Sequence, residues 1–112
     1  MTQSDTQPAF IRIAAPSEIP LGAGRSFAVG RYEVAVFNID GAFYAIENAC
    51  PHQGGPLADG WLEGPLVTCP WHGWCFDLRS GKMTLGEFAR VPRFELQVRA
   101  GELYVATEPI EQ

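Results

Sequence analysis

Histidine and cysteine are scarce in this chain: two and three, respectively, among 112 residues. An odd, low number of cysteines does not build the disulfide framework of a small secreted protein. Basic runs are missing as well. Eight Lys and Arg against thirteen Asp and Glu leave a formal charge of -5. That balance sets aside nucleic acid, whose binding rests on cations neutralising phosphates, and an anionic membrane surface. No apolar stretch approaches the roughly 20 residues of a membrane span. The polar start, Met1 to Pro8, lacks a charged-then-apolar signal pattern. A soluble, cytoplasmic protein is expected. No segment sustains a helical period.

The chain does have short β-rich runs, with twelve glycines and nine prolines between them. Phe10 to Ala14 has strand character, and Pro16, Pro20, Gly22 and Gly24 break the next stretch into turns. Arg31 to Ile39 and Ala42 to Ile46 flank Asp40-Gly41, a strong hairpin signal. Leu66 to Thr68 and Cys75 to Leu78 read as short strands, with a turn at Arg79 to Lys82. Glu95 to Arg99 and Leu103 to Thr107 flank Ala100-Gly101 as a final hairpin. The expected fold is all-β, a small antiparallel sandwich or barrel in one domain, 1–112. Residues 9–47 and 88–109 would form its base, and 48–87 a loop-rich metal-binding insertion.

The chemistry concentrates in that insertion. Cys50-Pro51-His52 and Cys69-Pro70-Trp71-His72 each bring one thiolate and one imidazole, and they use both histidines of the chain. Thiolates and imidazoles together suit zinc or iron in iron–sulfur form. A proline follows each cysteine and stiffens the turn. Gly54, Gly55 and Gly73 let the backbone curl closely around a cluster. Sixteen residues separate His52 from Cys69, room for a hairpin that returns the chain to the same point.

Cys50-X-His52, this spacer and Cys69-X-X-His72 resemble a Rieske [2Fe–2S] site. Gly54, Gly55, Pro56, Leu57, Gly73, Trp74, Phe76 and Asp77 extend the resemblance to soluble Rieske ferredoxins. By that resemblance Cys50 and Cys69 hold one iron, and His52 and His72 hold the other. Two neutral imidazoles in place of thiolates remove negative charge, so an electron is accepted more readily. Membrane-complex relatives join the two loops by a disulfide, at positions that here read Gly55 and Trp71. The same relatives donate hydrogen bonds to sulfur from Ser and Tyr, where this chain has Trp74 and Phe76. A comparatively low potential is implied.

Rieske oxygenases need further histidines for a catalytic iron, and this chain has none left. The resemblance therefore implies an electron carrier and not an enzyme. The first reading is a ferredoxin of a multicomponent system, as in aromatic hydrocarbon catabolism. It would pass one electron from a flavin-dependent NAD(P)H reductase to a terminal oxygenase. The alternatives are the small subunit of an assimilatory nitrite reductase, bound to its large subunit, and a zinc-binding interaction module. Cys75 is expected as a buried thiol, and Trp61 and Phe43 as core. Trp71 is expected either to cover the cluster or to touch a partner, and Trp74 to pack against the base. Pro92 is read first as a turn residue, and by resemblance as part of a loop shielding the cluster. Glu47, Asp59 and Glu63 are expected on a solvated acidic face.

Overall fold

The computed structural model describes residues 9–51, 54–71, 73–84 and 89–110. Among them are nine strands, two single-turn 3₁₀ segments and no α-helix. Strands β1 (Phe10–Ala14), β2 (Ala23–Val29), β3 (Tyr32–Ile39), β4 (Ala42–Glu47), β8 (Arg93–Arg99) and β9 (Glu102–Pro109) form an antiparallel sheet. Its order is β1-β9-β8-β4-β3-β2, and it curls until its edge strands β1 and β2 approach each other. A smaller antiparallel sheet, in the order β5-β6-β7, consists of β5 (Trp61–Glu63), β6 (Leu66–Thr68) and β7 (Cys75–Asp77). The all-β antiparallel expectation holds.

The two foreseen hairpins turn as their sequences dictate. Asp40 and Gly41 both have positive φ, 54° and 91°, between the paired residues Ile39 and Ala42. Ala100 and Gly101, at 50° and 78°, do the same between Arg99 and Glu102. Two-residue turns of this hand match the right-handed twist of the strands they join.

Two strands were not foreseen. β2 runs through a stretch that its prolines and glycines marked as turns. Gly24 lies inside it, opposite Phe37, and a methyl group there would sit 2.6 Å from the Phe37 ring. That glycine marks a close approach and not a break. β5 is only three residues long and pairs with β6 alone, so it carries little pattern to read. Its geometry also corrects the placement of Trp61. Side chains alternate along a strand. Leu62 packs on the core, which turns Trp61 and Glu63 outward, and Trp61 is 66% exposed.

β3 joins the two halves of the core. Val34 and Val36 face one apolar cluster with Ile19, Val29, Ala45, Phe94, Leu103 and Val105. Ala35 and Phe37 face a second cluster, shared with Ile46, Leu57, Val67, Phe76, Leu78 and Val91. A strand buried on both faces loses the polar alternation of a half-exposed one. The second cluster also contains Cys50 and Cys69. The sulfur-bearing residues are thus part of the packing between the two sheets.

Candidate metal centre

The first cysteine loop leaves the larger sheet at the end of β4. Asn48 fastens its base. Its backbone N–H donates to the Glu33 carbonyl at 2.8 Å, and its own carbonyl accepts from Leu57 N–H at 2.8 Å. Its side-chain oxygen accepts from Ala58 N–H, also at 2.8 Å. The two ends of the loop, Ala49 and Pro56, form a bridge pair. Asn48 is buried, and the sequence reading passed over it. The available signal was an Asn at a strand end, whose short amide readily bonds nearby backbone.

Within the loop, Cys50 N–H donates to the Gly55 carbonyl (2.9 Å) and Gly54 N–H donates to the Cys50 carbonyl (2.8 Å). The second loop, between β6 and β7, repeats both bonds. Cys69 N–H donates to the Trp74 carbonyl (2.7 Å), and Gly73 N–H donates to the Cys69 carbonyl (3.1 Å). The fourth residue after each cysteine is a glycine with positive φ, 78° at Gly54 and 80° at Gly73. A residue with a Cβ is disfavoured in that region. Each cysteine is therefore the root of a tight loop closed on its own backbone.

The two loops touch. A Cβ on Gly55 would lie 2.7 Å from the Cys69 sulfur and 3.0 Å from Trp71 Cγ. Cys50 and Cys69 are 2% and 0% exposed. His52 and His72, the other two expected ligands, lie outside the described residues. Trp74 packs on the cluster of buried residues that includes both cysteines, and its ring is 6.5 Å from that of buried Phe76. Neither side chain carries the hydroxyl found at these positions in membrane-complex relatives. Trp71 is exposed. Gly55 and Trp71, which stand where those relatives carry the disulfide, are neighbours, so that a Cβ on Gly55 would crowd the indole, and they have no sulfur to join.

Around the loops, three expectations change. Cys75 is half-buried, because it alternates with Phe76, the residue of β7 that points into the core. Phe43 is half-buried and packs on the first apolar cluster. Glu47 is also half-buried, and burial raises its carboxyl above the ordinary range. Its N–H donates to the Pro92 carbonyl at 2.9 Å. Pro92 is itself half-buried; its neighbour Val91 is the residue inside the cysteine-bearing cluster. Asp59 and Glu63 are exposed, as expected. Asp77 caps the turn after β7. It accepts from Arg79 N–H at 2.9 Å and pairs with the guanidinium at 2.8 Å, which holds its carboxyl below the ordinary value.

The donor chemistry fits an iron–sulfur cluster. Two buried cysteines stand on adjoining loops in apolar surroundings, and Gly55 keeps bulk away from the Cys69 sulfur. Soft thiolates in such a setting select iron–sulfur clusters or zinc. Comparison with known proteins distinguishes the two. Residues 9–95 match the family model described as the Rieske [2Fe-2S] domain. Ferredoxin CarAc of Metapseudomonas resinovorans is 35% identical over 102 residues, which cover 88% of this chain and 94% of that one. A chain of the solved complex of reduced oxygenase and oxidized ferredoxin in carbazole 1,9a-dioxygenase superposes with a TM-score of 0.85 at 31% identity. That match covers 92% of this chain and 97% of the other. The solved structure of a putative NADH-dependent nitrite reductase small subunit from Mycobacterium tuberculosis shares the fold, with a TM-score of 0.82 at 24% identity over 91% of this chain and 96% of that one. The chain belongs to the Rieske [2Fe–2S] domain family, whose cofactor is a [2Fe–2S] cluster.

Proposed function

We propose that this protein is a ferredoxin that carries one electron from a flavin-dependent NAD(P)H reductase to a terminal oxygenase. The observation that carries the reading is the 35% identity to a ferredoxin along nearly the whole of both chains. The fold alone does not separate this reading from a nitrite reductase small subunit, since both kinds of structure superpose well. The cytoplasm is the proposed location. No helix among the described residues is long and apolar enough to cross a membrane.

The proposed ligands are Cys50 and Cys69 for one iron and His52 and His72 for the other. The equivalence of the two loops supports this, since each presents one cysteine at its root and one histidine in its span. The proposed division of labour makes residues 9–47 and 88–109 a base and 48–87 the cluster-holding part. A cluster bound there supplies reversible one-electron chemistry near neutral pH.

The chain's own residues do the rest. Apolar packing by Leu57, Val67, Phe76 and Val91 keeps water from the cysteine side of the site. The closed backbone loops hold both cysteines in place, so little rearrangement accompanies a change of charge. With Trp74 and Phe76 in place of hydroxyl donors, the reduced state gains no hydroxyl hydrogen bonds from these positions. A potential below the quinol-oxidising range follows. Trp61 and Trp71 are both exposed, and Asp59 and Glu63 stand beside Trp61. Exposed aromatics with an acidic rim suit a partner whose docking site is apolar at its centre and basic at its edge.

The test is reconstitution. The purified protein, added to an NAD(P)H-dependent flavin reductase and a ring-hydroxylating oxygenase, is expected to restore product formation in proportion to its concentration. Absence of any stimulation, together with isolation in tight one-to-one complex with a sirohaem enzyme, would replace this reading by the nitrite reductase one.

A further inference from the structure

Gly55 does not need the torsional freedom of a glycine, because its φ lies outside the left-handed region that Gly54 and Gly73 occupy. What its position needs is room. A methyl group there would lie 2.7 Å from the Cys69 sulfur, and 3.0 and 3.1 Å from Trp71 Cγ and Cδ2. Two side chains of the second loop therefore converge on one bare α-carbon of the first. Gly55 itself is buried, and so is Cys69, only two positions before a tryptophan that is 61% exposed. The Trp71 indole is thus gripped along its inner edge while its remainder faces solvent.

We propose that Trp71 is a positioning residue of the metal centre. Seated on Gly55, its indole ties the first loop to the second and keeps water from the Cys69 sulfur. The inference rests on the cluster assignment above. Its physical consequence has a definite sign. Water that reached the sulfur would donate hydrogen bonds to it. Such donors stabilise the reduced, more negative state and raise the potential. Water and oxygen would also gain a route to the iron–thiolate bond, and the cluster would be lost faster. The contact belongs to the chain in isolation, so it acts whether or not a partner later covers the same tryptophan.

The experiment uses the full, cluster-loaded chain and its W71A, W71F and G55A variants. The midpoint potential and the rate at which visible absorbance bleaches in air are measured without any partner, and far-ultraviolet circular dichroism reports the fold. W71A is expected to keep the fold, shift the potential positive, and bleach roughly tenfold faster, as when a supporting contact of a metal ligand is removed. W71F keeps a flat ring on Gly55 and is expected to stay near the parent in both readings. G55A leaves the indole in place but crowds the sulfur, and is expected to bleach faster too. A W71A protein with the parent's potential and bleaching rate would overturn the inference while leaving the cluster assignment intact. So would a W71F protein no better than W71A. A parent protein that takes up no iron at all would overturn both.

Discussion

The loop after Cys50 and the loop after Cys69 follow one backbone plan and carry different side chains. Each is closed by the same two hydrogen bonds, from the cysteine N–H to the fifth residue on and from the fourth residue back to the cysteine. Each places glycine at that fourth position with φ near 80°. At the fifth position they part: Gly55 in the first loop, Trp74 in the second. Gly55 leaves space that the other loop's sulfur and indole fill, and Trp74 fills space against the core. The repeated part is what holding a cysteine requires. The unlike part is what lets two such loops face each other, since two bulky residues would collide and two small ones would leave a hole.

Breaking the unlike position in the second loop should have the largest effect. Trp74→Ala removes a half-buried indole from the cluster-side core and is expected to cost about 2 kcal/mol, below the range for a fully buried tryptophan. Chemical denaturation checks this, with loss of cluster colour ahead of the global transition. Next comes the anchor that the first loop has in Asn48. Asn48→Ala leaves the Ala58 N–H without its acceptor and should cost about 1–2 kcal/mol. Faster hydrogen exchange at Ala58 than at the second-loop amides would locate the damage in the first loop.

The shared position sharpens the comparison. Among the described residues nothing lies within 4 Å of where a Cβ on Gly54 or Gly73 would go, so the expected cost of Gly54→Ala and Gly73→Ala is that of the backbone conformation. Each should cost about 1 kcal/mol, and the two losses should agree closely. Unequal losses in parallel denaturation curves would mean that the loops are not equivalent.

The smallest effect is electrostatic. The Glu47 carboxyl is raised by burial, so the folded state binds its proton more tightly than the unfolded state does. The ionised group opposes folding at neutral pH, and this cost disappears as pH falls through the raised folded value. Glu47→Gln should therefore stabilise the protein by a few tenths of a kcal/mol at pH 7, with no gain near pH 4. Asp77 has the opposite sign. Its carboxyl is lowered by the hydrogen bond from Arg79, so its small contribution is present above the ordinary carboxylate value of 3.8 and is lost in stronger acid.

Much of this was legible in the residues. Asp40-Gly41 and Ala100-Gly101 announced their hairpins because positive φ at a two-residue turn admits few residue types. The cysteine and histidine spacing announced the cluster because ligand chemistry is selective. β2 was hidden because Gly24 does its work through the Phe37 ring, a contact thirteen positions away that no local pattern reports. Trp61 was misplaced because a three-residue edge strand gives no periodicity, and its outward face follows from Leu62 packing inward. The role of Gly55 was half-read. The sequence marks it as one of the glycines of the cysteine loops, but the side chains that require it to be glycine lie on the other loop.

The central claim is that the two loops jointly hold an iron–sulfur cluster. Iron, zinc and acid-labile sulfide, measured on anaerobically purified protein, test it most directly. Two irons and two sulfides per chain, with negligible zinc, are predicted from the family assignment. Stoichiometric zinc without iron or sulfide would contradict it.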